Sequence, residues 1–161
     1  KNMNLKILKL LSENAKYTEH DLSVMTGMSE DEVKSEIVEM EKDGLIRGYK
    51  TVIDWESLDS AKVSAIIELK VEPQPDAGFE QIAESVMKFS EVESVYLMSG
   101  GYDLCVIVKG KTFQEVAMFV AKQLATMEHV VSTATHFILR RYKELDIELC
   151  SSDKDDREPT L

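Results

Sequence analysis

The stretch SVYLMSGGYDLCVIV, residues 94–108, has the pattern of two strands joined by a tight turn. Apolar and β-branched residues make up both arms, which is typical of strands. The two glycines between the arms supply the conformational freedom that a turn requires. The stretch therefore predicts a hairpin in the second half of the chain.

The segments on both sides of this hairpin alternate between strand and helix patterns. VSAIIELKVEP (63–73) is typical of a strand that stops at Pro73, and VVSTATHFILRRY (130–142) of a final strand. GFEQIAESVMKF (78–89) and TFQEVAMFVAKQLATM (112–127) repeat apolar residues at helical spacing. The resulting order, β-α-β-β-α-β, is that of a ferredoxin-like αβ domain.

A four-stranded sheet of this order carries both of its helices on one face. The other face has no cover from its own chain, yet segments such as SAIIELKV (64–71) and DLCVIV (103–108) are apolar on both faces. We therefore expect a second copy of the chain to bury that face, which would give a sheet-on-sheet homodimer.

The first 54 residues have the pattern of three short helices and a strand. MNLKILKLLSEN (3–14) is amphipathic, and Thr18 and Ser29 occupy capping positions before two further helices. The apolar residues of the third helix recur on one face: Val33, Ile37 and Met40. LIRGYKTVID (45–54) then alternates like an edge strand or hairpin. Together these elements predict a winged helix-turn-helix.

The patterns place the chain in the α+β class and divide it into four parts. The winged helix-turn-helix covers residues 1–54, and a polar linker covers 55–62. The ferredoxin-like αβ sandwich covers 63–145. Residues 146–161 are polar and lack periodicity, so we expect a disordered tail.

Composition limits the classes of partner. The chain has 161 residues, a net charge of −11 and an isoelectric point near 4.8, which argues against broad nonspecific binding to nucleic acid or membranes. No apolar run approaches the roughly 20 residues of a membrane span, and no signal segment opens the sequence, so the expected location is the cytoplasm. Cys105 and Cys150 have no metal-ligand spacing, and we expect neither a metal site nor a disulfide.

Three motifs, in order and at fitting spacing, resemble the Lrp/AsnC (leucine-responsive/asparagine-operon) regulators. They are DGLIRGYKTVID (43–54), SVYLMSGGYDLCVIV (94–108) and STATHFILRRYKE (132–144). The resemblance covers roughly residues 4–145. It implies a transcriptional regulator with an ACT-like (RAM) sensing domain over 63–145, which binds DNA and a small-molecule effector, an amino acid. It also implies dimers that assemble further, often into octamers, with effectors in clefts where neighbouring dimers meet, and no cofactor.

The turn between the two central strands has the chemistry of an amino-acid site. Exposed N–H groups of a glycine turn can hold a carboxylate, and the Asp103 carboxylate can pair with an ammonium group. With the resemblance, the candidate effector-binding residues are Met98, Ser99, Gly100, Gly101, Tyr102, Asp103, Thr133 and Thr135. The alternative is a plain β-turn that Asp103 caps. If both threonines face the ligand, His136 faces the other side of its strand.

Enzyme motifs are missing from the sequence. It contains no nucleophile elbow, no P-loop and no metal-ligand spacing of cysteine and histidine, so we expect no catalytic activity. The siroheme decarboxylases resemble the same family in fold and stay as a minor alternative, although the three histidines here form no pattern typical of those enzymes.

The stretch MSEDEVKSEIVEMEKDG (28–44) conflicts with DNA binding by its third helix. From Ser29 to Gly44 it holds seven carboxylates against two lysines, a net charge of −5, whereas DNA affinity rests largely on cations. The third helix of typical Lrp/AsnC regulators resembles this one at the apolar, packing positions. It carries a threonine and two arginines at the positions that Glu32, Ser35 and Glu36 occupy here. The candidate DNA-contacting residues are Ser29, Lys34, Ser35, Arg47 and Lys50.

Two functions stay open at this point. The first is a regulator of transcription that binds DNA weakly. The second is an amino-acid-sensing oligomer whose acidic helix-turn-helix no longer binds DNA unaided and acts by protein interaction. The resemblance supports the first function and the charge of the third helix supports the second.

Overall fold

The chain forms two compact units, residues 1–52 and 53–161, each with its own hydrophobic core. The structure, a computed structural model, describes residues 4–58, 62–72, 75 and 78–149. Within these residues no helix is long and apolar enough to cross a membrane.

The first unit holds three helices: α1 (Leu5–Glu13), α2 (Glu19–Thr26) and α3 (Glu30–Lys42). Capping boxes begin α2 and α3, as expected for Thr18 and Ser29, because each hydroxyl accepts the N–H group three residues on. Gly27 ends α2 with a φ of +78°, a conformation that favours glycine. The short connection between α2 and α3 is the turn of a helix-turn-helix.

The core of this unit is formed by apolar side chains from all three helices. Ile7, Leu22, Val33 and Met40 are buried, and Ile37 packs against them. The predicted inner face of α3 is therefore confirmed. The same spacing directs the remaining side of α3 away from the core.

The strand expected over residues 45–54 is wrong, because these residues form no strand. The N–H groups of Leu45 and Ile46 donate instead to the carbonyl oxygen of Met40, at 2.9 and 3.1 Å, which closes the carboxyl end of α3. A strand needs a hydrogen-bonded partner, and an alternating pattern does not supply one. Here the described residues of the unit are otherwise helical or irregular.

The second unit has the predicted β-α-β-β-α-β order. Its elements are β1 (Val63–Val71), α4 (Gly78–Met87), β2 (Val92–Leu97), β3 (Leu104–Gly110), α5 (Phe113–Phe119) and β4 (Val130–Phe137). The helix α5 continues as a wider π-helical turn over Val120–Leu124. The four strands form one antiparallel sheet in the order β2-β3-β1-β4, so the ferredoxin-like fold class is confirmed.

One face of the sheet packs against α4 and α5. Its core residues alternate along the two central strands: Ala65, Ile67, Leu69, Leu104, Val106 and Val108. The register pairs Ile67 with Thr135 and Leu69 with Thr133, so both threonines belong to this helix-covered face.

The opposite face, here called the open face, is less apolar than the sequence led us to expect. Its central residues are Ile66, Glu68, Cys105, Ile107 and His136, as the strand register shows. Cys105 is buried, and His136 Nε2 lies 3.5 Å from Glu68 Oε2. An edge tyrosine, Tyr96, is 52% exposed. A partner on this face would meet both apolar and polar groups.

Short elements flank the sheet. The predicted linker begins with a 3-10 turn, Trp55–Ser57, and the Arg141 N–H donates to Glu56 Oε1 at 2.8 Å. The two short strands β5 (Lys143–Glu144) and β6 (Ile147–Glu148) form a hairpin. The expected tail boundary at residue 146 therefore falls inside this hairpin, and residues 150–161 lie outside the described residues.

Candidate functional site

The side of α3 that faces away from the core is the candidate DNA interface. At 100° per residue, the positions opposite Val33 and Met40 form a line along the helix. This outward stripe consists of five exposed residues: Asp31, Lys34, Ser35, Val38 and Lys42. Its exposed members include one carboxylate and two lysines. The half-buried Glu39 borders the stripe, at the same angle from the buried face as Lys34, so the stripe with its border is close to neutral whereas the helix as a whole is acidic.

Three of the other carboxylates on α3 have partners within the unit. Glu30 Oε1 lies 2.7 Å from His20 Nδ1, and Glu41 Oε1 accepts the Tyr49 hydroxyl at 2.9 Å. Glu32 Oε2 accepts both the N–H and the hydroxyl of Ser29, each at 2.8 Å. The Ser29 N–H, followed by the hydroxyl, holds the pKa of Glu32 below its usual value. Much of the acid therefore fixes the helix-turn-helix.

The predicted DNA contacts differ in how available they are. The single Ser29 hydroxyl proton is used in the cap, which leaves none for a phosphate oxygen. Lys34, Ser35 and Lys50 are exposed. A Cβ added to Gly44 would meet Arg47 Cζ at 3.1 Å, so the Arg47 guanidinium lies at the carboxyl end of α3, where a cation is favourable.

The pair of His20 and Glu30 links α2 to α3, and no motif in the sequence predicts it. The hydrogen bond from Glu30 and then its charge raise the pKa of the His20 imidazole above its ordinary value. Both side chains are exposed, so salt and solvent weaken the pair. Two surface residues ten positions apart give no sequence signal of their contact.

Replacing Glu30 with glutamine should lower the pKa of His20, measured by NMR titration of the imidazole. Because the pKa of His20 is raised in the folded state, the pair stabilises the unit. This stabilisation is fully present below about pH 6.5, the pKa of histidine in the unfolded chain, and it is lost as the pH rises through the folded-state pKa. His136, in the other unit, serves as the internal control. An unchanged His20 titration in the variant would show that the pair does not form.

The candidate effector turn is exposed and its backbone is open. Ser99, Gly100 and Gly101 are all exposed, and a Cβ added to either glycine would meet nothing within 4 Å. Gly100 has a φ of +129°, a backbone conformation that favours glycine over other residues. At position 101, neither the backbone conformation nor the packing in the described part of the chain requires a glycine. Its missing side chain leaves room for a ligand or a partner.

Asp103 ties the turn to the end of β1. Its carboxylate oxygen Oδ2 accepts the Val71 N–H at 2.9 Å, at the point where the β1–β4 register shifts. Its own N–H donates to the Leu69 carbonyl at 2.9 Å, and its carbonyl accepts the Met98 N–H at 2.8 Å. Asp103 thus caps the turn whether or not it also binds a ligand. The sequence holds no signal of Val71, which lies 32 residues away.

Thr133 and Thr135 lie apart from the turn. They are half-buried on the helix-covered face of β4, and β1 separates β4 from β3. Two strand spacings amount to about 10 Å. Within one chain, strand β1 therefore lies between the strand that follows the turn and the strand that carries the two threonines.

Tyr102 points toward the open face. Partial burial raises the pKa of its phenol, and the neighbouring Cys105 and Glu68 raise it further. The phenol is therefore protonated near neutral pH and can donate a hydrogen bond. Tyr102 thus connects the turn to the open face of the sheet, as Asp103 connects it to the end of β1.

The sequence matches a known family over the second unit. The profile of the Lrp/AsnC ligand binding domain matches residues 64–147. The uncharacterized HTH-type transcriptional regulator YugG of Bacillus subtilis is 45% identical over 138 residues, which cover 85% of this chain and 83% of the relative. The leucine-responsive regulatory protein of Haemophilus influenzae is 27% identical over 143 residues, 88% and 85% of the two chains.

Solved structures agree with the sequence matches. A transcriptional regulator of Neisseria meningitidis, solved as its L-Met complex, is 26% identical with a TM-score of 0.70, covering 89% of this chain and 92% of that one. The leucine response regulatory protein LrpA of Mycobacterium tuberculosis has a TM-score of 0.75 at 20% identity, covering 93% and 99%, and supports the fold alone.

Proposed function

This chain belongs to the Lrp/AsnC family of transcriptional regulators, and from that premise we propose that it binds DNA through α2 and α3 and an amino acid through its αβ unit. Regulators of this family bind DNA and small-molecule effectors. The relatives named above are regulators of transcription, which also favours regulation over catalysis, and such a regulator would act in the cytoplasm.

The outward stripe of α3 is the observation that carries the DNA-binding part. The opposite, apolar face of α3 packs in the core of the unit. The stripe itself holds Lys34, Ser35, Lys42 and the carboxylate of Asp31, with the half-buried Glu39 at its border. Serine and lysine side chains donate to phosphate oxygens. Glu30, Glu32 and Glu41 keep their negative charge but are not among the stripe's residues, and their hydrogen bonds within the unit hold them there.

Titration of the purified protein with its own upstream DNA tests this part. We expect binding at low salt and a log-affinity that falls with log salt, with a slope that reports the number of phosphate contacts. Because the outward stripe has few exposed cations, we expect the slope of log affinity against log salt to be shallower than the roughly −10 of a strongly cationic repressor. Undetectable binding at low salt, with and without amino acids, would refute a DNA-binding role.

An amino-acid effector is the proposed ligand of the αβ unit. The open backbone at Gly100 and Gly101 can hold a carboxylate, and Asp103 can hold an ammonium group beside its bond to Val71. A neighbouring subunit would complete the site, since the turn is exposed on its own. The relative solved as an L-Met complex supports this class of ligand.

A homodimer through the open face, assembling further to an octamer, is the proposed form of the protein. Ile66, Ile107 and Tyr96 supply apolar surface there, and Glu68 and His136 already contact each other. Sedimentation of a monomer at micromolar concentration would exclude this assembly.

The second candidate function is a sensor whose helix-turn-helix binds protein. The net charge of −5 from Ser29 to Gly44 favours it, because a polyanion repels that surface overall. The DNA titration above separates the two functions.

A further inference from the structure

Five cationic residues gather at one end of the sheet of the αβ unit. Lys62 precedes β1, Lys109 and Lys111 lie at the end of β3, and Arg140 and Arg141 follow β4. The register brings these strand ends together, because Val63 pairs with Gly110 and the Ile138 N–H donates to the Ser64 carbonyl at 2.9 Å. We call these five residues the cationic end.

The other end of the same strands is acidic. Asp103 and Glu72 lie there, Glu128 precedes β4, and Lys70 supplies a cation beside them. Carboxylates also lie at the cationic end, namely Glu91 and Glu115 beside the lysines and Glu144, whose Oε2 lies 3.6 Å from Arg141 Nε. The cationic end is therefore a local group of cations in a protein with a net charge of −11. A local concentration of cations lets an acidic protein attract a polyanion at one surface.

A shallow cleft of about 200 Å³ lies at the cationic end, lined by Lys62, Lys109 and Lys111 and also by Glu91 and Glu115. Both carboxylates already accept local hydrogen bonds. Glu115 Oε2 accepts the Lys111 N–H at 2.7 Å, and Glu91 Oε2 accepts the Ser90 hydroxyl at 3.1 Å.

The ammonium groups of the three lysines in the cleft differ in the contacts that they make with the rest of the chain. The Lys62 ammonium lies 5.1 Å from the centre of the Trp55 ring. The ammonium groups of Lys109 and Lys111 make no ion pair with any residue in the described part of the chain. They are therefore the cations most available to an external anion.

The backbone beneath these two lysines is fixed. A Cβ added to Gly110 would lie 2.8 Å from Val116 Cγ2, so glycine lets the end of β3 approach α5 closely. Lys109 and Lys111 flank this close contact. The backbone at both lysines is thus held in place, by the β3 ladder at Lys109 and by the bond to Glu115 at Lys111, while their side chains are exposed.

We propose that the cationic end binds phosphate groups of the DNA backbone and supplies cations that α3 lacks. The inference rests on the proposed DNA-binding function. The outward stripe of α3 offers two lysines, whereas DNA affinity grows with the number of phosphates that Lys and Arg neutralise. The cleft is shallow and its cations are exposed, which suits a backbone contact better than an enclosed small ligand.

The double variant Lys109→Gln/Lys111→Gln tests the inference in the full chain. Its matched control is Lys88→Gln/Lys122→Gln, which removes the same charge from exposed positions beside α4 and α5. In DNA titrations at several salt concentrations, the first variant should lose about one unit of log–log slope for each lysine that contacts a phosphate. The control should keep the wild-type slope.

Each outcome bears on a different claim. Equal slopes for the two variants, with wild-type DNA binding intact, would overturn this inference and leave the proposed function standing. No DNA binding by the wild type at low salt would overturn both. Pyrophosphate binding that Lys109→Gln/Lys111→Gln abolishes without weakening DNA binding would assign the cleft to a small phosphate ligand, which also overturns the inference.

Discussion

Asp103→Asn is expected to keep the fold and to abolish the thermal shift that an amino-acid effector produces. The asparagine side-chain oxygen can still accept the Val71 N–H, which the aspartate accepts at 2.9 Å. The variant loses only the negative charge that an ammonium group would need. Ligand at a hundredfold excess over its Kd stabilises a folded protein by about 2.7 kcal/mol, or roughly 5–10 °C for a chain of this size.

The measurement is a thermal-shift screen of the standard amino acids, L-methionine and L-leucine included, on wild type and variant. Asp103→Ala serves as the contrast. It removes the acceptor as well as the charge, and a part-buried N–H left without a partner costs about 1–3 kcal/mol. We therefore expect a lower melting temperature for Asp103→Ala without ligand and a nearly unchanged one for Asp103→Asn.

The two variants separate a structural cap from a ligand contact. A full effector shift in Asp103→Asn would mean that the carboxylate only holds the end of β1. Loss of the shift in Asp103→Asn, with its unliganded melting temperature retained, would assign the charge to the effector.

Asp31→Asn/Ser35→Arg is expected to raise DNA affinity at low salt about ten- to a hundredfold, since one charge-assisted hydrogen bond contributes about 1.5–3 kcal/mol. Both positions lie on the outward stripe of α3, and neither takes part in the capping box of Ser29 and Glu32. The change replaces a carboxylate with a neutral group and adds a guanidinium. The salt slope should steepen as the affinity rises.

A matched control makes this test specific to α3. Glu84→Gln/Ser85→Arg adds the same two units of charge at exposed positions of α4. DNA binding in the same salt series compares the two variants. Equal gains in affinity would mean that net charge alone acts, and no gain in either would mean that α3 does not face DNA.

The pattern of each segment was enough to predict the elements that local chemistry controls. Thr18 and Ser29 cap helices because their hydroxyls accept an N–H three residues away, and that contact is local. The strands of the αβ unit follow from apolar runs bounded by turn residues. Residues 45–54 alternate in the same way and yet form no strand, because a ladder also requires a partner strand.

The candidate sites depended on contacts between distant residues. The acidity of α3 is visible in its composition, but the partners of Glu30 and Glu41 lie on other segments. The alternation of side chains along β4 does not tell which face of the sheet Thr133 and Thr135 occupy. Their pairing with Leu69 and Ile67 places them on the helix-covered face. In the same way, Asp103 has a turn pattern in sequence and gains its partner, Val71, through the sheet.

The sequence by itself determined the class of the protein: a helix-turn-helix followed by a β-α-β-β-α-β unit, with the family that both imply. Periodicity, caps and turns encode these features within a few residues. Only the tertiary structure decided which charges stand together. It assigned three carboxylates of α3 to partners in the unit and gathered Lys62, Lys109 and Lys111 at one end of the sheet. Strand pairing and helix packing join residues far apart in the chain, and no local pattern records which ones meet.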